Sequence, residues 1–138
     1  MLHSVGMFSF FSRFSVPLAP HIFLGRRGEA IAARELGRRG LKIFARNVRI
    51  GKDEIDLLAF DPKDDVLVFV EVKTRRVHSD EYDPAMNAGF HKRRKLLRAA
   101  RRWVAMHDYD GGYRLDIVCV EEGRVTEHLR EVAWQPSP

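Results

Sequence analysis

The sequence predicts an α/β domain whose elements run α-β-β-β-α-β-β, and three observations predict it. Two Arg-rich stretches carry apolar residues at helical spacing. Three short runs rich in β-branched and aromatic residues lie between them, and two more follow the second. The breaks fall at clusters of Gly, Pro and Asp, the residues that favour turns. At 138 residues and 45% apolar, the chain suits one domain with a modest core.

"GRRGEAIAARELGRRG" reads as the first helix, with Ala32, Ala33 and Leu36 forming a narrow apolar stripe and Gly40 ending it. Glu29 shares that stripe, whereas Arg27, Arg34 and Arg38 lie on the far side. "LKIFARNVRI" reads as a strand, Gly51 and Lys52 as a turn, and "DEIDLLAF" as a second strand. "DPKDD" is a turn and "VLVFVEVKT" a third strand. Residues 75–90 read as a loop, "HKRRKLLRAARRWVAMH" as the second helix, and "YRLDIVCV" and "RVTEHLREVA" as closing strands around an "EEG" turn. Residues 1–24 are rich in Phe, free of acid, and broken by Arg13, Pro17 and Pro20. They fit neither a signal peptide nor the roughly 18 apolar residues of a membrane helix. We expect a flexible, non-core extension there and a single domain over 25–138.

A net charge of +5 and a pI near 9.7 point to a polyanionic partner. The single Cys119 excludes an internal disulfide and a cysteine zinc cluster; a reducing, cytoplasmic setting follows, with Cys119 as a small buried hydrophobe. The six His show no metal-ligand spacing, and the chain has neither a serine-hydrolase elbow nor a phosphate-binding loop.

Chemistry concentrates where charge interrupts apolar strands. Glu71 and Lys73 follow an almost wholly apolar run and share one side of the third strand. Asp56 interrupts the second strand. If Phe60 pairs with Leu67, Asp56 stands opposite Glu71; if Phe60 pairs with Val66, the two carboxylates diverge, because a one-residue slip reverses every side chain. Converging carboxylates suit Mg²⁺, which takes oxygen ligands from one or two carboxylates together with substrate phosphates. Lys73 could orient a water or stabilise charge developing on a phosphate.

The second helix is the candidate nucleic-acid surface. Seven of the eleven residues from Lys92 to Arg102 are basic. Arg94, Lys95, Arg98, Arg101 and Arg102 span an arc of roughly 120°. Leu96, Ala99, Ala100, Trp103 and Val104 oppose them. The arc is nearly free of the acids that a merely solvated face would mix in, so it suits phosphates read without sequence preference. Arg75 and Arg76 would extend it towards Lys73.

The stretch "GRRGEAIAARELGRRGLKIFARNVRI…DEIDLLAF…VLVFVEVKTRR" resembles the YraN family of predicted endonucleases. That family is similar to archaeal Holliday junction resolvases and belongs to the PD-(D/E)xK nuclease superfamily. The resemblance covers about residues 25–132. It implies a restriction-endonuclease-like α/β core with a central mixed sheet flanked by helices. It further implies Asp56, Glu71 and Glu29 as metal ligands, Lys73 as the catalytic lysine, and Lys92 as a recurring basic position. Two departures stand out: Asp53 replaces the usual Gly and would add a third acid beside the site, and Met86 stands where Glu is expected. The expectation is a Mg²⁺- or Mn²⁺-dependent endonuclease acting on branched or damaged DNA, with no membrane association. The alternative is a non-catalytic nucleic-acid-binding module on the same fold. Resolvase-like relatives imply a homodimer, although no self-complementary stripe in the sequence requires one.

Overall fold

A computed structural model describes residues 27–75 and 90–132, the side chains of residues 75 and 90–93 excepted. Helix α1 (Arg27–Arg38) leads into the strands β1 (Lys42–Ile50), β2 (Asp53–Asp61) and β3 (Val66–Arg75). Helix α2 (Phe90–Met106) precedes β4 (Tyr113–Glu121) and β5 (Arg124–Leu129). The five strands form one mixed sheet in chain order, antiparallel except where β4 runs parallel to β3. That parallel pairing needs a long crossover, and the segment containing α2 supplies it. This is the order and the mixed, helix-flanked sheet that the sequence predicts. The expected extension over residues 1–24 and residues 76–89 of the expected 75–90 loop, Met86 among them, lie outside the described residues; residue 75 instead ends β3 and residue 90 begins α2. Among the described residues, no helix is long and apolar enough to cross a membrane.

Each helix covers its own apolar layer. Ala32, Ala33 and Leu36 of α1 pack with Leu57, Ala59, Val68, Val70, Val118 and Val120. Leu96, Ala99, Ala100 and Trp103 of α2 pack with Ile55, Leu58, Leu67, Phe69, Leu115, Ile117 and Cys119. Alternate residues of β3 and β4 therefore face opposite helices, which explains why both strands read as continuous apolar runs. Cys119 is buried in the α2 layer, as a small hydrophobe.

Termini and turns follow local chemistry. The Gly40 N–H donates to Gly37 O and the Leu41 N–H to Leu36 O, closing α1 in a Schellman motif. Gly40, at φ +101°, supplies the left-handed residue, and Leu41 is buried against the α1 layer. Asp61 Oδ1 accepts the Lys63 N–H and tightens the β2–β3 turn.

A buried charge network ties β4 to its neighbours. Arg114 donates from Nε to Asp116 Oδ1 at 2.9 Å and from Nη1 to Asp61 Oδ2 at 2.9 Å and Asp64 Oδ2 at 3.0 Å. His128 Nε2 meets Asp116 Oδ2 at 2.8 Å. A guanidinium this deeply placed persists only because carboxylates surround it.

Candidate active site

The β2–β3 register decides where Asp56 goes. Phe60 pairs with Leu67, and the ladder runs from Asp61↔Val66 to Leu57↔Val70, where it stops. This is the register that brings Asp56 level with Glu71. The pleat then breaks: Ile55 packs in the α2 layer and Leu57 in the α1 layer, although period two would put both on one face. Between them the Asp56 carboxylate enters the seam between the strands, and its Oδ2 accepts the Val72 N–H at 2.8 Å. A side chain has replaced a backbone partner at the point where β2 leaves β3.

Glu29 reaches the seam from the first turn of α1. Glycine at position 28 permits this, because an added Cβ would collide with the Thr74 side chain. Glu29, Glu54 and Asp56 each offer an oxygen, and the three oxygens lie within 4.8 Å of one another. Glu54 is the acid the sequence reading missed. It stands two residues before Asp56, the spacing that places neighbours on one side of a strand. Asp53, expected as the third acid, is drawn away instead. Its carboxylate receives Arg98 Nε at 2.8 Å and Arg98 Nη2 at 2.7 Å, which commits it to α2. A bidentate partner on α2 outweighs mere proximity in sequence.

The electrostatics mark Asp56 out. Its carboxyl is pushed up to about 8, first by burial and then by the charge of Glu71, with smaller upward effects from Glu29 and Glu54 and a partial offset from the Val72 N–H. Glu71 thus acts on Asp56 through its charge, while the tight oxygen triplet is formed by Glu29, Glu54 and Asp56. Lys73 lies two residues beyond Glu71 on the same side of β3, half-buried, in register with Cys119 of β4. Glu29 also reaches Arg46 on β1, where its charge partly offsets the burial that lowers the guanidinium's pKa. An all-oxygen set of partly buried acids, costly when ionised together, is chemically suited to a hard divalent cation.

The second helix keeps its predicted faces. Arg94, Lys95, Arg98, Arg101 and Arg102 are exposed, while Leu96, Ala99, Ala100 and Trp103 are buried. Arg98 is nevertheless matched by Asp53, and the Arg102 guanidinium lies against Gly51 in the β1–β2 turn. A helical wheel could show neither engagement. Arg76 and the side chains of Arg75 and Lys92 lie outside the described residues.

Residues 28–120 match the profile of uncharacterised protein family UPF0102. The chain belongs to this family. It is the YraN family of the sequence resemblance. A UPF0102 protein of Nitratidesulfovibrio vulgaris (strain DP4) is 38% identical over 128 residues, covering 81% of this chain and 93% of the relative. A UPF0102 protein of Streptomyces griseus subsp. griseus is 43% identical over 116 residues, covering 80% and 95%. Among solved structures, one described as an EndoMS-dsDNA2 complex aligns with TM-score 0.44 and 22% identity. That alignment covers 66% of this chain and 35% of the other.

Proposed function

We propose that this UPF0102 member is a Mg²⁺- or Mn²⁺-dependent endonuclease acting on branched or damaged DNA in the cytoplasm. The observation that carries the reading is the Asp56 carboxyl. It is held in the β2–β3 seam by the Val72 N–H, with oxygens of Glu29 and Glu54 alongside and Glu71 raising its proton affinity. In this reading Asp56, Glu29 and Glu54 hold the cation, with Glu71 beside them. A bound divalent ion would supply charge neutralisation at a phosphodiester and a lowered pKa for attacking water. Lys73, following Glu71 on β3, stabilises negative charge on the phosphate or orients the water. Arg94, Lys95 and Arg101 make phosphate contacts along α2, joined by Arg75, Arg76 and Lys92; Arg98 and Arg102 contribute what the β1–β2 turn leaves available.

The test compares wild type with Asp56→Asn and Lys73→Ala on duplex, flapped, mismatched and four-way DNAs. Wild type should cut at least one of them only with Mg²⁺ or Mn²⁺. Both variants should bind DNA with wild-type affinity and lose cleavage by at least 100-fold. Binding without cutting by pure wild-type protein, across all substrates and both metals, would instead assign a nucleic-acid-binding module.

A further inference from the structure

The end of β2 that carries Glu54 and Asp56 is supported unevenly. The β2–β3 ladder stops at Leu57↔Val70, so the strand-to-strand bonds of residues 53–55 are those to β1: Ile50↔Asp53, Arg49↔Glu54 and Val48↔Ile55. On the β3 side, the Val72 N–H to Asp56 bond takes the place of the ladder. Such an end can swing about β1 unless a third element holds it, and α2 provides two holds. Arg98 grips Asp53 through two hydrogen bonds in a fork, with the Asp53 side chain only 8% exposed. One turn on, the Arg102 guanidinium covers Gly51 so closely that an added methyl group there would strike it.

We infer that the Arg98–Asp53 pair is a positioning clamp: it fixes the free end of β2 against α2 and thereby holds Glu54 and Asp56 in register with Glu29 and Val72. The directions fit. Asp53 and Ile55 face α2, so a pull on Asp53 seats that side of the strand, while Glu54 and Asp56 meet Glu29 of α1. Arg is the residue required, because a lysine ammonium cannot fill both carboxylate oxygens in one plane. The catalytic meaning of the clamp rests on the nuclease reading; its mechanical meaning does not.

The Val72 amide is a reporter at the far side of the same strand end. Amide hydrogen exchange should be followed in metal-free wild type, Arg98→Ala, Arg98→Lys and the milder Asp53→Asn, alongside Mn²⁺ affinity by titration. The expected result is at least tenfold faster exchange at Val72 in Arg98→Ala, with Leu115 and Val118 unchanged. Mn²⁺ affinity should fall about tenfold, and Arg98→Lys should recover part of both effects. Unchanged Val72 exchange in both Arg98→Ala and Asp53→Asn overturns the clamp. So does acceleration at Val72 matched by Leu115 and Val118, which would report global loosening. A wild type that binds no Mn²⁺ while Val72 still responds refutes the nuclease reading and leaves the clamp standing. Tight Mn²⁺ binding unaffected by either variant, with Val72 unmoved, does the reverse.

Discussion

Replacing Asp56 by Asn should make the metal-free protein more stable, although the residue is the centre of the proposed site. Asn keeps an oxygen to accept the Val72 N–H and removes the charge. The carboxyl ordinarily titrates near 3.8; in the fold, burial and then Glu71 raise it to about 8. Below about pH 4 both folded and unfolded chains hold the proton, and Asp56 costs nothing. Between the two values the unfolded chain releases its proton first, so stability falls by about 1.4 kcal/mol per pH unit. The loss is on the order of 4 kcal/mol at pH 7 and is complete just above pH 8. Asp56→Asn should recover most of it, raising Tm by on the order of 10 °C at pH 7 in chelator. Circular-dichroism melts of both proteins at pH 4, 5.5, 7 and 8.5 give the assay. The gap should be near zero at the lowest pH and widest at the highest. Adding Mg²⁺ should narrow it, because wild type gains from binding and the variant gains little. A variant less stable than wild type at pH 7, or a gap independent of pH, refutes the reasoning.

Other perturbations test the supports of the site. Gly28→Ala should cost about 1–3 kcal/mol in urea unfolding by driving α1 against Thr74; adding Thr74→Ala should return much of the loss. Arg114→Met should cost about 3–5 kcal/mol, since Asp61 and Asp116 would stay buried without their cation. If urea unfolding shows less than about 1 kcal/mol, the network is not holding β4. Neutralising Arg94, Lys95 and Arg101 together should weaken DNA binding similarly for all sequences and flatten the log-affinity versus log-salt slope by roughly 0.9 per residue, measured by fluorescence anisotropy. An unchanged slope would move the phosphate surface elsewhere.

Period-two and helical patterning determined the elements of this protein, because each strand and helix buries a face the sequence already marks. Val68 and Val70 against Leu67 and Phe69, or Leu96 and Trp103 against Arg94 and Arg101, are legible without coordinates. Asp56 and Glu71 also stand out there as charges inside apolar runs, and Glu29 as an acid on a core-facing helix stripe; the charges of Glu71 and Glu29 both act on Asp56. Tertiary structure alone decided the rest. The choice between Leu67 and Val66 as partner of Phe60 depends on a turn that local sequence leaves open, and with it goes the position of Asp56. Local sequence placed Asp53 beside the site; Arg98, forty-five residues away, removed it, and the break in the pleat at Asp56 admitted Glu54. Burial patterns are local, and the sequence records them. Which carboxylate meets which cation is settled by contacts between distant segments, and only the folded chain brings those segments together.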